Sequence, residues 1–112
     1  MKKIMVITSE TLGKGDDELG SILMRVFLTC LGQGDEIPEV LGLMNGGVKL
    51  ACEDSPVLDE LKKIEARGVK VRACGTCLDF FGIRESLAVG EAGKMPDTVA
   101  GLMTADDAIV LG

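Results

Sequence analysis

The chain has no histidine, no tryptophan and no tyrosine. Without imidazole, Ser-His-Asp and Cys-His catalysis, the 2-His-1-carboxylate iron site and most zinc-enzyme sites are excluded together. Clustered basic charge is also missing. Twelve Lys and Arg stand against 18 Asp and Glu, a formal charge of −6, and the isoelectric point is near 4.6. Such a surface repels a phosphate backbone, so nucleic acid is not an expected partner. Long apolar runs are absent as well. Ile4-Met5-Val6-Ile7 breaks into Thr8-Ser9-Glu10, which is too short for a signal h-region, and nothing approaches transmembrane length. The expectation is a soluble cytoplasmic protein with no membrane partner.

What is present is a chain of 112 residues with 46% hydrophobic content, enough for a single domain over residues 1–112 and too short for two. A mean hydropathy of +0.30 is high for so small a chain, which cannot bury all its apolar surface alone. A homo-oligomer is therefore expected.

Residues 3–8 form an apolar β-rich run ending in the polar, glycine-containing loop 9–15, a buried strand followed by a strand-to-helix turn. Asp16 is the natural N-cap. Leu19, Ile22, Leu23, Val26, Phe27, Cys30 and Leu31 then recur at spacings of three and four, read as the core stripe of a helix closed by Gly32. Residues 39–44 are a second strand, broken by Asn45-Gly46-Gly47. Ser55-Pro56 opens a helix that Gly68 ends, and 69–73 is a third strand. A short helical connection over 74–85, a weak fourth strand at 86–89, a helix from Met95-Pro96 and a fifth strand at 108–111 complete the pattern. Strands alternating with helices predict an α/β fold, a three-layer α/β/α sandwich around a mostly parallel five-stranded sheet.

In open parallel sheets the working groups gather beyond the strands' C-terminal ends, here loops 9–15, 45–47 and 74–77. The last, Cys74-Gly75-Thr76-Cys77, carries distinctive chemistry. Cys74 follows a buried strand and precedes a helical turn, where free N–H groups stabilise a thiolate. Gly75 lets backbone approach a bound sulfur, and Thr76 offers a hydroxyl donor. Cys74 and Cys77 are the candidate catalytic residues, with Asn45, Gly46, Gly75 and Thr76 the candidate substrate-binding set. Cys30 reads as a core residue, and Cys52 stands between core and edge. Four cysteines could in principle hold zinc, but a closed site draws on two closely spaced ligand pairs, and no metal is expected. Gly13-Lys14-Gly15 fails both nucleotide-loop patterns, and Asp16, Asp17 and Glu18 place negative charge where a phosphate would sit, so no cofactor is expected.

Three stretches, 8–20, 44–51 and 73–82, resemble the C-terminal DsrE-like domain of the YedF family, described as sulfurtransferase-like and linked to selenium metabolism. The resemblance spans essentially the whole chain. It implies a DsrE-like sandwich, oligomeric assembly, and a relay cysteine just after the third strand, which matches Cys74, carried as a persulfide. Sulfur donor and acceptor proteins, a TusA-like domain among them, are the implied partners. Two other readings of the residues stay open: a thioredoxin-type dithiol oxidoreductase, and a module that binds a small ligand at the same edge without covalent chemistry.

Overall fold

The computed structural model describes residues 2–112. Five strands, β1 (Lys3–Ile7), β2 (Val40–Leu43), β3 (Lys70–Cys74), β4 (Glu91–Gly93) and β5 (Asp107–Leu111), form one sheet in the order β4-β3-β2-β1-β5. Every pairing is parallel. Four α-helices connect them: α1 (Asp17–Gln33), α2 (Leu58–Ala66), α3 (Gly75–Phe81) and α4 (Met95–Thr104), with 3-10 turns at Asn45–Ala51 and Arg84–Ser86.

The order dictates the layers. From β1 to β4 the chain steps in one direction across the sheet, so right-handed crossovers place α1, α2 and α3 on the same face. To reach β5 it travels back past β1, and the same handedness puts α4 on the other face. A Cβ built at Gly101 of α4 would lie 2.9 Å from Ile4 Cδ1, which confirms that contact. The three-helix face holds the main core, with Ile7, Leu41, Leu43 and Val71 of the strands packed against Met24, Leu28, Leu61, Ile64 and Leu78 of the helices.

Local signals account for most boundaries. The Asp16 carboxylate accepts from the Leu19 N–H at 2.9 Å and starts α1. Gly68, at φ +95°, closes the chain segment after α2, but the expected Ser55-Pro56 start is corrected: α2 begins at Leu58 with Val57 as its cap, and Ser55, which accepts from the Val57 N–H, shapes the turn ahead of the helix instead. α1 runs one residue past Gly32 and is capped at Gly34.

Two further expectations are corrected. The α1 residues Leu19, Ile22, Leu23, Val26 and Cys30 are exposed, and Gly20, Met24 and Leu28 are buried instead, with Phe27 and Leu31 half-buried beside them. α1 carries apolar residues on two adjoining faces, and the sheet selects the one that includes Gly20. A Cβ there would meet the Thr11 side chain at 2.7 Å, so the helix packs directly on the preceding loop at this point. The fourth strand lies at 91–93, not 86–89. Val89 is a core plug, and Leu87 forms an isolated bridge with Cys52. Gly90, at φ +77°, lets the chain turn into β4 where a Cβ would sit 2.4 Å from the Val71 carbonyl oxygen.

Candidate functional site

The strands' C-terminal ends bring loops 9–15, 45–47 and 74–77 to one edge, as expected for a parallel sheet. The sheet order reverses between β1 and β5, and a cleft of 680 Å³ opens there, lined by Thr8, Ser9, Thr11, Lys14, Asn45 and Gly46 among others. Asn45 joins this cleft to the thiols, because its backbone N–H donates to Cys77 Sγ at 3.1 Å.

That N–H is aimed by the turn after β2. The Met44 N–H donates to the Ile7 carbonyl at 3.0 Å, and Asn45 takes a left-handed conformation at φ 51°, which Asn tolerates better than most residues. Gly47 makes this possible, since a Cβ on it would lie 2.3 Å from the Ile7 carbonyl oxygen. The Asn45-Gly46-Gly47 signature therefore buries a turn against β1 and presents one donor to sulfur.

Cys74 ends β3 and caps α3, and Cys77 lies in the first turn of that helix. Both are free and half-buried. Burial pushes the Cys77 thiol up from its ordinary range, hydrogen bonding and charge repulsion from Cys74 push it further, and the Asn45 N–H pulls the other way. Cys77 therefore holds its proton to higher pH than an ordinary thiol. The Asn45 N–H, a donor that the sequence pattern did not mark, falls on Cys77.

Gly75 is buried, and its small size has a packing cause: a Cβ would lie 2.8 Å from Arg84 Nη2 and 3.2 Å from the Gly93 carbonyl oxygen. Thr76 is exposed. The residues that sequence reasoning missed are those that fix α3. Arg84 donates to both carboxylate oxygens of Asp79, at 2.7 and 3.0 Å, and to the Gly75 carbonyl at 3.3 Å. This fork ties the helix's first turn to the chain that follows it. The ion pair holds the Asp79 carboxyl below the usual carboxylate range. Lys49 Nζ lies 4.4 Å from the Phe81 ring centroid and 4.0 Å from the Glu10 carboxylate, so a cation stands one turn behind both Asn45 and Cys77. No spacing rule marks these partners, which meet through folding.

The other cysteines are not part of this group. Cys52 is buried, its thiol donates to the Val48 carbonyl at 3.4 Å, and burial raises its pKa. Cys30 is exposed on α1 rather than in the core.

The chain matches no protein-family model and no curated protein. Its fold is similar to that of the ychN protein from E. coli, with a TM-score of 0.71 and 20% identity over 98% of this chain and 99% of that one. It is also similar to MTH1491, a protein of unknown function from Methanobacterium thermoautotrophicum (TM-score 0.69, 17% identity, 97% of each chain). A third neighbour is the conserved protein of unknown function BT1422 from Bacteroides thetaiotaomicron (TM-score 0.66, 15% identity, 97% of this chain and 94% of that one). What the chain shares with these proteins is a small α/β fold matched along nearly its full length.

Proposed function

We propose that the protein carries sulfane sulfur, or selenium, as an adduct on Cys74. The observation that carries this reading is the pair of free, half-buried thiols at the edge of a parallel sheet, with Asn45 linking it to the cleft where the strand order reverses. The resemblance of the Cys74-Gly75-Thr76-Cys77 segment and its two companion stretches to DsrE-like domains supports the same assignment.

Cys74, as thiolate, attacks the terminal sulfur of a donor persulfide. The donor's S–S bond breaks, the donor leaves as a thiolate, and Cys74 holds the persulfide. An acceptor thiolate then attacks the terminal sulfur and restores the Cys74 thiolate. Cys77 supplies a second exit. Deprotonated, it attacks the inner sulfur of the adduct, forms the Cys74–Cys77 disulfide and expels hydrosulfide, after which an external dithiol must reduce the disulfide. The raised pKa of Cys77 keeps this exit slow near neutrality, which suits a carrier. Asn45 and Gly46 border the approach, and Thr76 is free to contact a partner.

Intact-mass measurement after exposure to polysulfide and to a cysteine desulfurase reaction supplied with cysteine or with selenocysteine tests the reading, with peptide mapping of the adduct. One added chalcogen on Cys74 is expected. A Cys74–Cys77 disulfide that cycles with a dithiol, without any adduct under any donor, would replace the carrier by a dithiol oxidoreductase.

A further inference from the structure

The sheet face opposite the main core carries a second cavity. α4 is the one helix on that side among the described residues, and a helix about 10 Å across cannot cover five strands spaced about 4.8 Å apart. Between α4 and the strands it leaves open lies a groove of 610 Å³, a volume ordinary for a small-ligand site. None of the four cysteines lines it, so it is separate from the thiol edge.

Strand alternation sets its floor. Val71 and Ala73 are buried in the main core, so Lys70 and Arg72 project from the other face. In the parallel register Ile4 lies beside Val40 and Val40 beside Lys70, while Val6 lies beside Gly42 and Gly42 beside Arg72. Each of these rows runs from an apolar residue on β1 to a cation on β3, across about 10 Å. Gly42 keeps the second row open. A Cβ built on it would meet Val6 Cγ2 at 3.6 Å and the Met5 carbonyl oxygen at 3.8 Å, both ordinary contacts, so packing does not demand glycine there. Glycine inside a strand is otherwise a cost, and it commonly marks a place where a ligand comes close to the backbone.

Charge selects the ligand class. The chain is acidic overall, with a formal charge of −6, yet Lys2, Lys70, Arg72 and Lys94 line this groove against Glu91 and Asp97. Lys70 and Lys94 have no ion-pair partner among the described residues, and Arg72 meets the well-exposed Glu91 at 3.8 Å. We propose that the groove binds a small amphipathic anion free in solution, a carboxylate on a medium-length apolar chain. The chain lies across Val6, Val40 and Gly42 beside α4, and the carboxylate meets Lys70 and Arg72.

Isothermal titration calorimetry with octanoate tests this, beside octylamine hydrochloride, which carries the same chain on a cation. Backbone amide shifts in NMR spectra locate the site. Octanoate should bind once per chain and move the amides of Val40, Gly42 and Arg72, and octylammonium should not. Gly42→Val fills the floor with a residue that strands favour and should weaken octanoate about tenfold or more. Lys70→Glu, at an exposed position, should weaken it about fivefold and keeps the test open if the first variant unfolds. Equal binding of the two amphiphiles, shifts confined to the exposed apolar residues of α1, or octanoate binding unaltered by Lys70→Glu would overturn the site. Shifts at the same amides on dilution of the protein alone would give the groove to a second copy of the chain and overturn it as well.

Discussion

At the level of single residues, the two thiols are separated by what surrounds each. Cys77 accepts a backbone N–H and is held above its ordinary pKa by burial and by Cys74, so Cys74 is assigned the attacking role. Cys74→Ser should lose chalcogen loading in the intact-mass assay, and Cys77→Ser should load and keep the adduct longer, since the thiol that expels it is gone. Loading that survives Cys74→Ser and vanishes in Cys77→Ser would reverse the roles. Alkylation carries a second expectation: in Cys74→Ser, Cys77 should react with iodoacetamide along a pH profile displaced upward from that of a free thiol, mainly through desolvation. A profile coinciding with that of a model thiol would remove burial from the account. Gly47 is the residue whose loss should spread furthest. A methyl group there meets the Ile7 carbonyl oxygen at 2.3 Å, so Gly47→Ala should destabilise by about 1–3 kcal/mol and move the Asn45 N–H off Cys77. Thermal unfolding read beside the Cys77 alkylation profile checks both effects.

Elements show where local pattern suffices and where it fails. The α1 start was legible in Asp16, and Asp16→Ala should cost about 1 kcal/mol, measurable by urea denaturation; a change near zero would mean the cap is replaced by water. β1, β2, β3 and β5 were legible too, because buried parallel strands are apolar runs closed by turn residues. β4 was not. Glu91-Ala92-Gly93 has no strand pattern, pairs along one side only, and is recruited by register with Arg72, Ala73 and Cys74. The more apolar Leu87 and Val89 serve the core instead. The α1 stripe failed for a related reason: spacing reports that a face is apolar, and on a helix with two such faces only packing decides which meets the sheet. In the site, the cysteines and the Asn-Gly-Gly turn were readable as residue types. The Arg84 fork on Asp79 and Gly75 was not, because it depends on where the chain goes after α3. Arg84→Ala should loosen the first turn of α3 and speed amide hydrogen exchange at 75–78, with smaller changes elsewhere. Uniform acceleration across the chain would show a general loss of stability instead.

For the whole molecule, burial of thiols sets a pH limit on stability. Cys52 and Cys77 both have folded-state pKa values raised above the ordinary thiol range, each with desolvation as the largest cause. In the unfolded chain these groups ionise from about pH 8.5, while in the folded protein they keep their protons to higher pH. Above that point the folded state binds more protons than the unfolded one, so stability must fall as pH rises, by at most about 1.4 kcal/mol per pH unit for each group. Below pH 8 both are protonated in either state and the contribution is flat. Asp79 and Glu36 behave oppositely, because each is depressed by a cationic partner; their support is present above the unfolded carboxyl pKa and is lost as pH falls through the folded value. Stability should therefore form a plateau between about pH 5 and 8 with a fall on either side. Cys52 tests the alkaline side without touching the thiol pair. Cys52→Ala removes one of these two titrating thiols, so although the variant starts less stable from the lost packing, its urea midpoint should decline less steeply between pH 8 and 10 than that of the wild type. Parallel declines in the two proteins would show that the alkaline limb comes from other groups.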